Sequence, residues 1–190
     1  MIAPSALLAF LLALMALQAT PGPDMLLVIG RGVGQGRRAA LLTAAGATVL
    51  AALVQLPLLI LSAASLVHAS PTAFALLRWA GAAYLVWLGL KLVVRRGRRM
   101  AATATRPVSD RAALRDGMVT NLTNPKALAF MLAFLPQFVD PANGWPVAVQ
   151  LLILGSMQKL SGFVVLALVA LGAGSIVVCC RRQWLEQALG

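Results

Sequence analysis

Five long apolar stretches limit what this chain can fold into. They cover residues 2–20, 39–67, 73–94, 118–139 and 147–178. Each is near or above the roughly 20 residues an α-helix needs to cross a hydrocarbon layer. Lipid offers no partner to backbone N–H and C=O groups, so segments of this kind must bond internally as helices. An all-α membrane protein is the expected class. Composition agrees, with 61% hydrophobic and 11% charged residues, where a soluble domain is about half apolar and a quarter charged. The first stretch resembles the apolar part of a signal peptide, but residues 1–5 carry no Lys or Arg. It is therefore read as a retained span.

The connecting segments carry a topology signal. Arg31, Arg37 and Arg38 follow the first stretch. Lys91, Arg95, Arg96, Arg98, Arg99, Arg106, Arg111 and Arg115 follow the third, and Arg181 and Arg182 the fifth. The other two loops hold no base, only His68, Ser70 and Pro71 in one and Asp140 in the other. Thirteen of the sixteen positive charges thus fall on alternate loops. The positive-inside rule then puts the arginine loops in the cytoplasm and the N-terminus outside. The net charge of +11 is explained this way and needs no nucleic acid as partner. Cys179 and Cys180 are adjacent and His68 has no companion at ligand spacing, so neither a distant disulfide nor a metal site is expected. No cofactor is expected either. The five acids, Asp24, Asp110, Asp116, Asp140 and Glu186, are scattered, and an enzyme would need a clustered set.

The basic linker 95–117 divides the chain. Residues 1–94 hold three stretches and 118–190 two, followed by RRQWLEQALG, read as an interfacial lead-in. Pro21 and Pro125 lie 104 residues apart, and the same offset lays the second stretch over the fifth. Three spans per repeat make the second repeat enter from the opposite side. That is an inverted repeat, the build of many secondary transporters. It calls for a sixth helix, which this sequence lacks.

Two motifs break the apolar runs. TPGPD, Thr20 to Asp24, removes two backbone donors at Pro21 and Pro23, and Gly22 permits a turn. Either it lies at membrane depth and marks a lined cavity, or it ends the first span at the cytoplasmic surface. TNPKA holds Asn124, Pro125 and Lys126 inside the fourth stretch. A lysine at a span's centre costs roughly 2.5–3.5 kcal/mol, so Lys126 is expected to face the bundle interior or to snorkel to the surface. An inverted repeat brings Asp24 and Lys126 towards its pseudo-axis. There an aspartate matches the ammonium of an α-amino acid and a lysine its carboxylate. The rival reading is a structural Asp24–Lys126 ion pair. Thr20, Gly22 and Asn124 flank these charges and join the candidate substrate-binding set. Lys159, in GSMQKLSG near the middle of the fifth stretch, either faces a polar cavity or pairs with an acid. Gln55 and Pro57 line a cavity or simply mark a kink. GRGVGQGRR, residues 30–38, fits no phosphate-binding pattern and is read as a flexible cytoplasmic turn.

TPGPDMLLVIGRGVGQGRRAALLTAAGA, WAGAAYLVWLGLKL and RDGMVTNLTNPKALAFMLAFLPQFV together resemble the lysine-exporter (LysE) family of bacterial amino-acid efflux translocators, over nearly all of the chain. The resemblance implies a six-helix protein of the bacterial inner membrane. It would move amino acids or close derivatives outward against proton entry. The residues themselves make Asp24 the expected proton or ammonium site. The expected partners are a small amino-acid substrate, protons and the lipid bilayer. The chain is compatible with a homo-oligomer but does not specify one. Lys159 is not borrowed from the family pattern. The alternative is a non-transporting, degenerate five-span protein of the same fold.

Overall fold

The computed structural model describes residues 4–69, 108–140, 142 and 144–189, with six further positions between 72 and 87. The expected third span and most of the basic linker lie outside the described residues. So do Arg78 and the side chains of His68, Cys179, Cys180, Arg181 and Arg182.

Among the described residues every regular element is helical. The helices are α1 (Pro4–Ala19), α2 (Pro23–Gln35), α3 (Arg37–Ala45), α4 (Ala51–Ala69), α5 (Asp110–Leu122), α6 (Pro125–Ala129) and α7 (Val147–Leu189). A π-turn, Gly46–Leu50, joins α3 to α4 without a break. A second, Phe130–Phe134, follows α6 and runs into a short 3₁₀ turn, Leu135–Phe138. The helical runs Arg37–Leu61 and Val147–Ala173 are each long and apolar enough to cross a membrane. Leu53 on α4 is 70% exposed and Leu160 on α7 is 68% exposed, an outward face suited to lipid rather than water. This is an all-α membrane protein.

Three expectations need adjusting. The first span is not one helix of membrane length. α1 has 16 residues, and it passes as a span only together with α2, as a broken span or a re-entrant loop. The fourth stretch is interrupted at Thr123 and Asn124, between α5 and α6. And GRGVGQGRR is no flexible turn. Its residues up to Gln35 belong to α2, and the turn shrinks to Gly36. Gly36 has φ +87°, a conformation that favours glycine. The glycine at position 32 serves packing instead: a Cβ there would lie 2.9 Å from that of Ala173.

The described chain forms two compact units, whose boundaries fall in the break between α1 and α2, at 20/21, and inside helices at 51/52, 121/122 and 159/160. Unit 1 comprises residues 1–20, 52–100 and 122–159. Its core gathers Phe10 and Leu14 of α1, Leu59 of α4, Phe130, Met131 and Leu135, and Leu151 and Leu154 of α7. Phe10 meets Phe138 edge-on at 5.4 Å between ring centroids, a favoured aromatic arrangement. Gly155 of α7 admits the Leu56 side chain of α4 into space a Cβ would fill.

Unit 2 comprises residues 21–51, 101–121 and 160–190. Its core is built from small side chains: Ala40, Ala44 and Ala47 with Val28, Leu166 and Ala170. Small residues let helices approach closely, which is how helices associate in a membrane. The approach is closest between α5 and the α3 run. A Cβ on Gly46 would fall 2.0 Å from the Leu114 carbonyl oxygen, and one on Gly117 would fall 2.1 Å from that of Thr43. Each glycine is therefore seated on the other helix's backbone.

Candidate functional site

The chain breaks twice in the same way. At the first break α1 ends at Ala19. Thr20 folds back, its hydroxyl donating to the Ala16 carbonyl at 2.9 Å. Gly22, extended at φ −130°, ψ 179°, caps α2, Pro23 takes the first helical position and Asp24 the second. Proline suits that place because its missing N–H has no intrahelical partner there. At the second break Asn124 caps α6, accepting from the Lys126 N–H at 3.0 Å, with Pro125 first and Lys126 second. Both helices thus open with a cap, a proline and a charge. The prolines at the first helical position are Pro23 and Pro125, 102 residues apart, while Pro21 stands in the break itself, 104 residues before Pro125.

The two charges differ in how they suit these places. A carboxylate is favoured in a helix's first turn and an ammonium in its last. Asp24 sits well at the start of α2. In unit 2 its Oδ2 accepts from Asn121 Nδ2 at 2.6 Å. Lys126 is on the wrong end of α6, and its side chain goes elsewhere. In unit 1 its Nζ donates to the Thr20 carbonyl at 2.5 Å. That carbonyl lies just past the end of α1, where orphaned acceptors attract a cation. In unit 2, then, Asn121 of α5 holds the first turn of α2, and in unit 1 Lys126 holds the end of α1.

Lys159 is buried in unit 1, 6% exposed, and donates to Oε1 of Gln55, which is 4% exposed. The sequence left Lys159 between a cavity and an acid. The structure adds a neutral amide, and Gln55 becomes more than a kink marker. Gln55 and Lys159 are 104 residues apart, the offset that relates Pro21 to Pro125.

Unit 2 holds a charge cluster that sequence reasoning missed. Arg31 on α2 was read as a topology charge, yet its side chain is 6% exposed and its Nη2 meets Asp116 Oδ2 at 2.8 Å. Arg115 Nη2 reaches the other oxygen at 3.1 Å. Farther out, Arg38 pairs with Asp110 at 2.6 Å, and Gln35 Oε1 accepts from the Val108 N–H at 3.1 Å. The one legible signal was Arg31 within an otherwise apolar run. Among the described residues no three His, Cys, Asp or Glu side chains gather as metal ligands.

The family profile for a LysE-type translocator matches residues 15–189. The chain belongs to the LysE-type translocator family. Among its LysE-type relatives are a leucine efflux protein of Enterobacter sp., 34% identical over 146 residues, 75% of this chain and 67% of the relative. A homoserine/homoserine lactone efflux protein of Salmonella typhimurium is 32% identical over 165 residues, 84% of this chain and 79% of the relative. An uncharacterized membrane protein of Vibrio cholerae is 38% identical over 149 residues, 78% of this chain and 71% of the relative. No solved structure matches the chain.

Proposed function

We propose that this LysE-type translocator exports small amino acids or close derivatives from the cytoplasm across the bacterial inner membrane, driven by proton entry, with its N-terminus on the outer side. The observation that carries the reading is the bond from Lys126 to the Thr20 carbonyl. It ties together the two helix breaks, the kind of feature that forms transporter binding sites. The names of the two efflux relatives supply the direction and the substrate class. Lys126, with Asn124 and the backbone of Thr20 beside it, takes the substrate carboxylate, and Gly22 belongs to the substrate-binding set as the turn of the first break. Asp24 takes the ammonium or the coupling proton, and Pro21, Pro23 and Pro125 hold the breaks open. Lys159 supplies a further buried charge to the path.

The halves 1–94 and 118–190 act as inverted repeats in this reading. The meeting of Gln55 with Lys159 at the repeat offset supports it, since two-fold-related residues meet on the axis. Coupling is energetically adequate: one charge crossing 100 mV supplies about 2.3 kcal/mol. The alternative, a non-transporting protein of this fold, is decided by the same experiment. Vesicles loaded with labelled amino acids are expected to lose label from the cytoplasmic side only with the intact protein and an imposed proton gradient. Asp24→Asn should abolish gradient-driven export, and Lys126→Ala should lower it by at least about tenfold, as loss of a charged hydrogen bond does. Unchanged export in both variants sinks the site assignment. No export of any amino acid by the intact protein sinks the function.

A further inference from the structure

The far end of the Gln55 amide has no role in what precedes. Its Oε1 accepts from Lys159, and that bond settles which way the amide faces. Turned over, its N–H donors would confront an ammonium, which is itself only a donor. Nε2 therefore points away from Lys159. It is sealed from solvent and meets no acceptor among the described residues. On the same two helices, Leu56 closes onto Gly155, and Leu59, Leu151 and Leu154 belong to the apolar core of unit 1. Buried amide donors are nearly always paired. An orphan held in a fixed direction by a buried cation is a place where an acceptor from outside the chain fits.

We propose that Gln55, positioned by Lys159, sets substrate specificity by donating Nε2–H to an oxygen in the substrate's side chain or ring. This favours amino acids and derivatives that carry a hydroxyl, ester or lactone oxygen over purely aliphatic ones. The inference rests on the efflux function proposed above. The relatives do not make the choice, since the leucine and the homoserine/homoserine lactone efflux proteins are 34% and 32% identical to this chain. The donor makes it. Leucine leaves Nε2 without an acceptor, whereas homoserine offers its hydroxyl and homoserine lactone its ring ester. The α-carboxylate is not the group concerned, because leucine and homoserine share it and it would not discriminate between them.

Protection of the purified full-length protein against thermal unfolding reads this directly, without transport. Homoserine and homoserine lactone are expected to protect at concentrations about tenfold lower than leucine, the worth of one hydrogen bond. Gln55→Leu should remove that preference. Gln55→Glu should remove it as well while keeping an acceptor for Lys159, so it reports on the donor even where the leucine variant fails to fold. Equal or absent protection by all three ligands in the unaltered protein, or a preference that survives in the folded variants, overturns the proposal. The vesicle assay is scored separately. Failure to export any amino acid overturns the efflux reading, whereas export with no ranking among ligands overturns only the role of Gln55.

Discussion

Alanine at Gly46 should destabilise the protein by on the order of 3 kcal/mol, the upper range for overpacking a tight contact. The cost is high because of what the new methyl would strike. It would sit 2.0 Å from the Leu114 carbonyl oxygen and 2.8 Å from the carbonyl carbon. Those are backbone atoms of α5, and no rotamer change moves them. The two helices must separate, and separation loses the close packing on which helix association in a membrane depends. Gly117→Ala should do the same from the other side, where the methyl would meet the Thr43 carbonyl oxygen at 2.1 Å. Once one methyl has forced the helices apart, the second finds room already made, so the double variant should cost less than the sum of the singles. Gly30→Ala is the control. It lies in α2 with nothing within 4 Å, and alanine there should stabilise by up to about 1 kcal/mol through helix propensity. Thermal unfolding in detergent measures all four. A Gly46→Ala protein as stable as the parent would mean that α3 and α5 do not touch as described.

That contact also shows where sequence reading stops. Runs such as AAGA in the second stretch signal that something packs closely there. They do not say that α5 is the partner, because small residues carry no record of what fills the space they leave. The breaks were legible for the opposite reason. Proline acts on its own backbone, so Pro23 and Pro125 announce a helix start whatever surrounds them. What was not legible is which of Pro21 and Pro23 opens the helix, since two prolines close together both look like the breaker and only the capping geometry chooses. Lys159 was legible as an anomaly but its partner was not. Gln55 is uncharged, and a lysine within an apolar run points first to an acid. The burial of Arg31 was not legible because topology arginines and buried arginines look alike in a one-dimensional pattern. The rule that places charges at membrane edges describes populations, and a single arginine is free to turn inward when a carboxylate waits there.

That carboxylate is the basis of the other large effect. Removing it by Asp116→Ala should destabilise the protein by about 3–5 kcal/mol, the cost of breaking a buried pair from one side. The asymmetry of the pair sets which side matters. The Arg31 side chain is 6% exposed and that of Asp116 is 30% exposed. Without Asp116 the guanidinium is left with no carboxylate, and its Nε and Nη1 already lack partners. Without Arg31, in Arg31→Met, the aspartate keeps Arg115 at 3.1 Å and partial contact with solvent. Arg31→Met should therefore cost clearly less than Asp116→Ala. The double variant, with no stranded charge, should be more stable than Asp116→Ala alone, as expected when a buried ion pair is exchanged for apolar groups. Asp110→Ala breaks a pair whose side chains are 82% and 53% exposed, and should cost under about 1 kcal/mol. Chemical unfolding of the four proteins gives the ranking. Equal losses for Asp116→Ala and Arg31→Met, with no recovery in the double variant, would show that Arg31 reaches water and that burial does not govern this pair.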